Sequence, residues 1–317
     1  MPATDHLADP IIVVGAGRSG THLLATAIER NYRSHVAYVG ERNEVWKQYG
    51  PPTTYDYLPA SAFSDEAIAR TRAAFRRLVL EHGKQRLLEK TPANTLRLPL
   101  VMRVFPDATI INIVRDGRDV ALSARRKLLG DHRKVTKFDD RQPPWGERLS
   151  QLAGQGIRKL RHGWQPGVLV RNLPRYWTGA LSMLGGRKQT MWGPRFPGFE
   201  AYYHTCPPLE FAAVQWRECV SSTQNFLASR PAENACEIRY EDLLAHPDQV
   251  LARVFGAIAT ERFPAPRRIE HAIAGGGRTW RDALEESEIR ALAVHIERTL
   301  LDLGYPSSFA PLAMGST

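Results

Sequence analysis

The stretch Ile11–Glu29, IIVVGAGRSGTHLLATAIE, runs four apolar residues into a glycine-rich turn and out into an amphipathic segment. Four aliphatics ending at a glycine read as a buried strand, and the apolar spacing from Thr21 to Arg30 reads as a helix. A strand that ends at Gly15 and a helix that begins near Ser19 aim free backbone N–H groups and the positive helix end at one point. Gly15, Gly17 and Gly20 let the chain turn tightly, Arg18 adds a fixed cation, and Ser19 and Thr21 add hydroxyls. The result is a cradle for a phosphate-like anion. It lacks the Gly-Lys-Ser/Thr ending of nucleotide hydrolases and kinases. The spacing of the three glycines also fits the dinucleotide fingerprint, but no acidic residue closes the second strand, which ends YVGERNE with Glu41 past its tip. Glycine turns before helices are common, so this stretch alone leaves a purely structural turn open.

Outward from this stretch, strand-like runs recur at Ile11–Val14, His35–Val39, Arg86–Glu89, Thr109–Arg115 and Ala235–Tyr240. Helical patterns lie between or beyond them at Thr21–Arg30, Asp65–Glu81, Leu96–Val104, Asp116–Leu128, Glu210–Ser229, Pro247–Ile258 and Glu285–Leu303. The alternation predicts an α/β fold, a parallel sheet of the P-loop type flanked by helices with right-handed crossovers. From Gly130 to Pro208 the alternation stops, and the chain becomes rich in Gly, Pro, Trp and basic residues. A stretch that long reads as a functional insertion rather than a connector. The expectation is one domain over residues 1–317 with a basic, Trp-rich insertion at 130–208, closed by the last helix.

The chain has 317 residues, 43% of them hydrophobic, enough for a substantial core. No apolar run approaches the roughly 18 to 20 residues of a membrane span, and MPATDHLADP has neither a basic leader nor an apolar signal core, so a cytoplasmic protein is expected. Cys206, Cys219 and Cys236 are widely spaced with no CxxC pair, which reads as reduced structural thiols, with no disulfide framework and no metal-ligand cluster. The formal charge of +10 is local. Arg125 to Arg195 holds sixteen Lys or Arg against four Asp or Glu, a net of +12, which leaves about −2 for the rest. Such a patch suits a solvated surface, a nucleic acid or a mouth for anionic ligands.

The second informative element is NIVRDGRDVALSARR, Asn112–Arg126. Its strand ends at Arg115, and its helix opens at Asp116 with Asp119 three residues on, in the manner of a capping box. Arg115 at the strand tip and Ser123 two helical turns later are placed to meet a second anion beside the first. With GRSGTHLL, EKTPAN, VRDGRDVALS, RYEDLLAHP and GGGRTWRD in that order, the chain resembles sulfotransferases that use 3′-phosphoadenosine-5′-phosphosulfate (PAPS). The resemblance spans Ile11 to about Gly130 and Glu210 to Leu303. It implies that Gly17, Arg18, Ser19, Gly20, Thr21 and His22 hold the 5′-phosphosulfate. It implies further that Arg115 and Ser123 hold the 3′-phosphate, that Tyr240 lies near the adenine, and that Arg278 closes over the 3′-phosphate. Arg18 stands where cytosolic small-molecule enzymes commonly carry lysine. In this the chain resembles the bacterial and Golgi-type branch, which acts on carbohydrates and tyrosylproteins, more than the phenol and steroid branch.

Sulfuryl transfer asks a protein for positioning and cations rather than a metal. Arg18 and the loop amides suit the leaving phosphate. Lys90, at the tip of the third strand in EKTP, is placed to reach the sulfuryl oxygens from the opposite wall. For the base the choice falls on Glu41, at the tip of the second strand and adjacent, in an open sheet, to the loop that carries Arg18. Glu44 is expected to position the acceptor, and His22 is the third option. Four tryptophans, Trp145, Trp164, Trp177 and Trp192, share the insertion with Tyr176, and no acidic residue occurs from Arg148 to Arg195. Aromatic platforms beside cations suit a carbohydrate, a glycolipid head group or another anionic acceptor, and a basic face also suits peripheral contact with a membrane. The rival readings are a module binding single-stranded nucleic acid or another acidic polymer, and a P-loop small-molecule kinase.

Overall fold

The computed structural model describes residues 7–130, 191–229, 235–273 and 279–309. Five strands form one parallel sheet: β1 (Ile11–Val14), β2 (Val36–Gly40), β3 (Arg86–Lys90), β4 (Thr109–Val114) and β5 (Ala235–Arg239), in the order β2-β3-β1-β4-β5. The two central neighbours β1 and β4 are buried along their whole length, as near-continuous aliphatic runs predict for strands covered on both faces, and β3 is buried as fully although three of its five residues, Arg86, Glu89 and Lys90, are charged. At the edge, β5 alternates, with Cys236 and Ile238 inward and Glu237 exposed.

Successive side chains of a strand face opposite ways, and β1 divides its residues between two cores accordingly. Ile12 and Val14 pack with Trp46, Phe75, Val79, Leu100 and Phe105. These come from α2 (Asn43–Gln48), α3 (Asp65–Glu81) and the segment around α4 (Leu98–Val104). Ile11 and Val13 pack on the other face with Leu24, Ile28, Leu251 and Phe255, from α1 (Thr21–Asn31) and α9 (Pro247–Ile258). Each aliphatic side chain taken fully from water contributes about 1.5–3 kcal/mol. The remaining helices are α5 (Gly117–Leu128), α6 (Phe199–Thr205), α7 (Pro208–Ala228), α8 (Tyr240–Ala245), α10 (Trp280–Ala283) and α11 (Glu286–Asp302), with α7 packed along α11.

The element boundaries largely match the sequence reading, and the differences have local causes. The helix expected from Leu96 is two pieces, a 3-10 turn at Pro92–Leu96 and then α4. Pro92 and Pro99 each lack an N–H and are best placed in a first turn, so each starts its own piece, with Arg97 non-helical between them (φ −143°). By contrast α3 has the expected bounds because Ser64 caps it, its side chain accepting from Ala67 N–H, with Asp65 and Glu66 in the first turn.

Contacts divide the chain into residues 1–125 with 192–317, and residues 126–191. Of the expected insertion, 131–190 lies outside the described residues, with Trp145, Trp164 and Trp177 in it. Residues 192–208 belong with the first unit, where Phe196 stacks on Phe211 and Tyr203 meets Phe211 edge to face. Among the described residues no helix is long and apolar enough to cross a membrane.

Candidate active site

The sheet order brings the loop after β1 between the strand tips of β3 and β4, the place where an open α/β sheet opens a crevice. Gly20, the N-cap of α1, has φ +93°, and a Cβ there would lie 2.4 Å from Cδ2 of Tyr240. Only a glycine combines that backbone with that ring. A Cβ on Gly17 would approach Cη2 of Trp192 to 2.9 Å, so the loop runs between two aromatic rings. Arg18 itself has φ +76°, a left-handed conformation that costs a non-glycine residue energy and clusters at functional turns. No side chain caps α1, and the Ser19 hydroxyl is fully buried without a hydrogen-bond partner. Helix start, orphaned hydroxyl and glycine backbone thus meet in one loop, with Arg18 at its left-handed turn.

Beside the loop, the tip of β4 brings Arg115 and Ser123 to Arg18. Arg18 Nε donates to Ser123 Oγ at 2.9 Å, and Arg115 Nη1 donates to the Arg18 carbonyl at 3.2 Å. The Arg115 guanidinium lies over the Tyr240 ring at 4.3 Å, and its Nε is buried without a partner. Trp216 Nε1 fixes the Arg115 backbone through its carbonyl at 3.1 Å. Partial burial first, and the Arg115 charge second, lower the pKa of Arg18 from its ordinary value. Neither guanidinium forms an ion pair with a described carboxylate. Thr21 is buried in the first turn of α1, and Arg278 lies outside the described residues.

The expected capping box is corrected. Asp116 Oδ1 accepts from the Arg118 N–H at 2.9 Å, but the Asp116 N–H goes to Glu241 and the Asp119 carboxylate takes the Trp280 N–H at 2.7 Å. Asp116 also pairs with the buried Arg118 at 2.7 Å. The acidic residues of VRDGRD therefore fasten β4 and α5 to the C-terminal third of the chain.

A second correction concerns Glu41. β3 separates β2 from β1, so Glu41 is not adjacent to the loop of Arg18 but to the tip of β3, where Lys90 Nζ meets Glu41 Oε1 at 2.5 Å. Lys90 is buried while more than half of the Glu41 side chain is exposed. His22 Nδ1 is 3.2 Å from Tyr38 Oη. Burial, then Glu41, Glu29 and Glu89, raise the Tyr38 pKa above its ordinary value, so the phenol stays protonated. Glu44 lies in the first turn of α2, exposed, 3.6 Å from Arg42.

Sequence reading missed a buried polar network under these tips. Glu89 accepts from Trp46 Nε1 at 3.2 Å, from Asn94 Nδ2 at 2.6 Å and from the Thr91 hydroxyl. Arg97 Nε bonds Asn94 Oδ1 at 2.9 Å and its Nη1 bonds Asn43 Oδ1 at 2.7 Å. Asn43 reaches Asp56 at 2.8 Å, which pairs with Lys47 at 2.8 Å and exchanges two hydrogen bonds with the Arg195 backbone. The only trace in the sequence was EKTPAN itself, of which Lys90 alone was read as functional. Elsewhere Cys206, Glu210 and His295 bring donor atoms within 4.8 Å of one another. There the His295 ring meets Glu210 at 3.0 Å and ties α11 to α7.

A family model described as "Sulfotransferase family" matches residues 10–169, half of the chain. The chain belongs to the sulfotransferase family. Solved structures to which the chain is similar include a sulfotransferase domain from the curacin biosynthetic pathway, 15% identical at a TM-score of 0.46, with 95% of this chain and 99% of that one covered. A sulfotransferase from Alicyclobacillus acidocaldarius is 16% identical at a TM-score of 0.47, covering 95% and 98%. Mouse sulfotransferase SULT7A1, complexed with PAP, is 14% identical at 0.44, covering 95% and 89%. No curated protein sequence matches the chain.

Proposed function

We propose that this sulfotransferase moves the sulfuryl group of PAPS to a hydroxyl or amine of a polar, anionic acceptor of the carbohydrate or glycolipid kind. The observation that carries the reading is the meeting of Arg18, Ser123 and Arg115 at the cradle, with the contacts of 2.9 and 3.2 Å given above. Two guanidiniums held together without an ion-paired carboxylate among the described residues repel each other. A donor with phosphate groups at both the 5′ and 3′ positions converts that repulsion into attraction on both sides. The orphaned Ser19 hydroxyl and the open first turn of α1 fit the 5′ end. Gly17, Gly20, Thr21 and His22 complete that end, Tyr240 borders the adenine, and Arg115, Ser123 and Arg278 take the 3′-phosphate.

In this reading Lys90 binds the sulfuryl oxygens and Glu41 accepts the acceptor's proton. The acceptor oxygen forms the new bond to sulfur as the bond from sulfur to the 5′-phosphate oxygen breaks. Arg18 and the loop N–H groups stabilise the charge that the departing 3′-phosphoadenosine-5′-phosphate (PAP) gains. The test is thermal denaturation with PAP against ADP, which lacks the 3′-phosphate. A ligand at 100 times its dissociation constant adds about 2.7 kcal/mol of stability, and the shift is expected with PAP at concentrations where ADP gives little. Equal shifts, or none with PAP, overturn the donor assignment.

A further inference from the structure

The roles proposed for Glu41 and Lys90 require that their tips keep a fixed separation, and strand pairing alone does not supply it. β2 and β3 pair up to Gly40 opposite Glu89, with a register shift between Tyr38 and Gly40, and Gly40 has φ +72°. The chain therefore leaves the ladder one residue before Glu41. Beyond that point the tie is a side chain. The Arg42 N–H, one residue after Glu41, donates to Oγ1 of Thr91, one residue after Lys90, at 3.0 Å.

We propose that Thr91, oriented by the buried carboxylate of Glu89, is the positioning residue that holds Glu41 opposite Lys90. This rests on the reading of those two residues given above.

The polarity of the relay follows from what each group is able to donate. An N–H pointed at the Thr91 oxygen occupies a lone pair, so the single hydroxyl proton must go elsewhere, and it goes to Glu89. Glu89 also faces the indole N–H of Trp46, which only donates, and the amide NH2 of Asn94. Three donors converge on this carboxyl group, an arrangement that favours its ionised form. Burial raises the Glu89 pKa, and Thr91, Arg97, Trp46 and Asn94 oppose that rise.

The cost of a buried charge is then shared through a balanced network. Glu89 and Asp56 are its acids and Arg97 and Lys47 its bases, with Glu89, Arg97 and Asp56 each at most 1% exposed. The Arg97 guanidinium lies 5.4 Å from the Trp46 ring centre. Such a network contributes little net stability compared with an apolar replacement, and breaking it from one side is costly. A fixed Thr91 oxygen gives its retention a purpose.

The experiment compares Thr91→Val, which keeps shape and loses the hydroxyl, with Thr91→Ser, which restores it. Each is read by calorimetry with PAP, by a crystal structure with PAP, and by release of sulfate from PAPS with water as acceptor. Thr91→Val is expected to bind PAP as the parent does and to crystallise with residues 40–42 displaced and the Lys90–Glu41 contact broken. Its sulfate release should fall by about ten- to a hundredfold, the size of effect that a misplacement near 1 Å produces, and Thr91→Ser should recover it. In a Glu41→Gln background the Thr91→Val change should add almost nothing, since both act on one group. An unchanged Lys90–Glu41 contact in the Thr91→Val crystal overturns the proposal, as does full additivity of the two substitutions. Failure of the parent protein to bind PAP overturns the donor reading instead.

Discussion

Replacing Arg115 with alanine separates the two ends of the proposed donor. The guanidinium has three measurable relations: 3.2 Å to the Arg18 carbonyl, 4.3 Å to the Tyr240 ring centre, and a buried Nε without a partner. In the proposed complex it faces the 3′-phosphate, and a hydrogen bond to a charged group is worth about 1.5–3 kcal/mol. That range corresponds to a loss of about 10- to 150-fold in PAP affinity. Removing Arg115 also frees the Tyr240 ring and relieves Arg18 of a like charge, so PAP affinity alone would mix several effects. AMP corrects for them, because it shares every feature of PAP except the 3′-phosphate. Four calorimetric titrations, parent and Arg115→Ala with PAP and with AMP at one fixed ionic strength, close a cycle in which the shared changes cancel. The backbone at 115 is held by Trp216 through a carbonyl that alanine keeps, so the fold should survive. Loss of PAP and AMP binding by the same factor, or of neither, refutes the placement of Arg115 on the 3′-phosphate.

Lys90→Ala should leave PAP affinity nearly unchanged and lower sulfate release from PAPS by about a hundredfold, since its proposed partner is the group PAP lacks; normal release removes Lys90 from the mechanism. Glu41→Gln keeps size and hydrogen bonding, and should lower the same release by about 100- to 10,000-fold with PAP affinity preserved. Near-normal release there, with loss in His22→Asn or Glu44→Gln, transfers the role of base. In the native protein a disulfide reagent should modify Cys206 quickly and Cys219 and Cys236 slowly, because burial pushes the Cys219 thiol up to about 12 and raises that of Cys236. Cys206→Ser should remove the fast phase, and three equal rates would contradict the packing of α7 and β5.

The parts legible in the sequence are those whose causes are local. The four aliphatics before Gly15, the strand expected over Thr109–Arg115 and the start of α3 at Asp65 carry their signals within a few residues, and each forms within a residue of its expected bounds. The parts that misled depend on contacts distant in the chain. Asp119 has the spacing of a capping box, yet its partner is Trp280, 161 positions on, because Glu241 has taken the Asp116 N–H. Glu89 looked like one more strand residue, since nothing near it in sequence announces Trp46 or Arg97 as its surroundings.

Strand order was the largest gap, and its consequence is mechanistic. A reading that set β2 beside β1 put Glu41 next to the loop of Arg18. The observed order places the tips in the series Glu41, Lys90, Arg18 loop, Arg115. With neighbouring strands about 4.8 Å apart, that series spans about 14 Å. An in-line displacement requires the attacking and leaving oxygens on opposite sides of the transferred group. In the proposed reading the 3′-phosphate lies at the β4 tip, the 5′-phosphate at β1, the sulfuryl oxygens at Lys90 on β3, and the acceptor's proton beyond them at β2. Had β2 paired with β1, Glu41 would stand on the leaving-group side, where a carboxylate opposes the charge developing on phosphate, and Lys90 would lie outside it. In that reading the insertion of β3 between those strands puts the proposed base, Glu41, on the side from which the acceptor must attack.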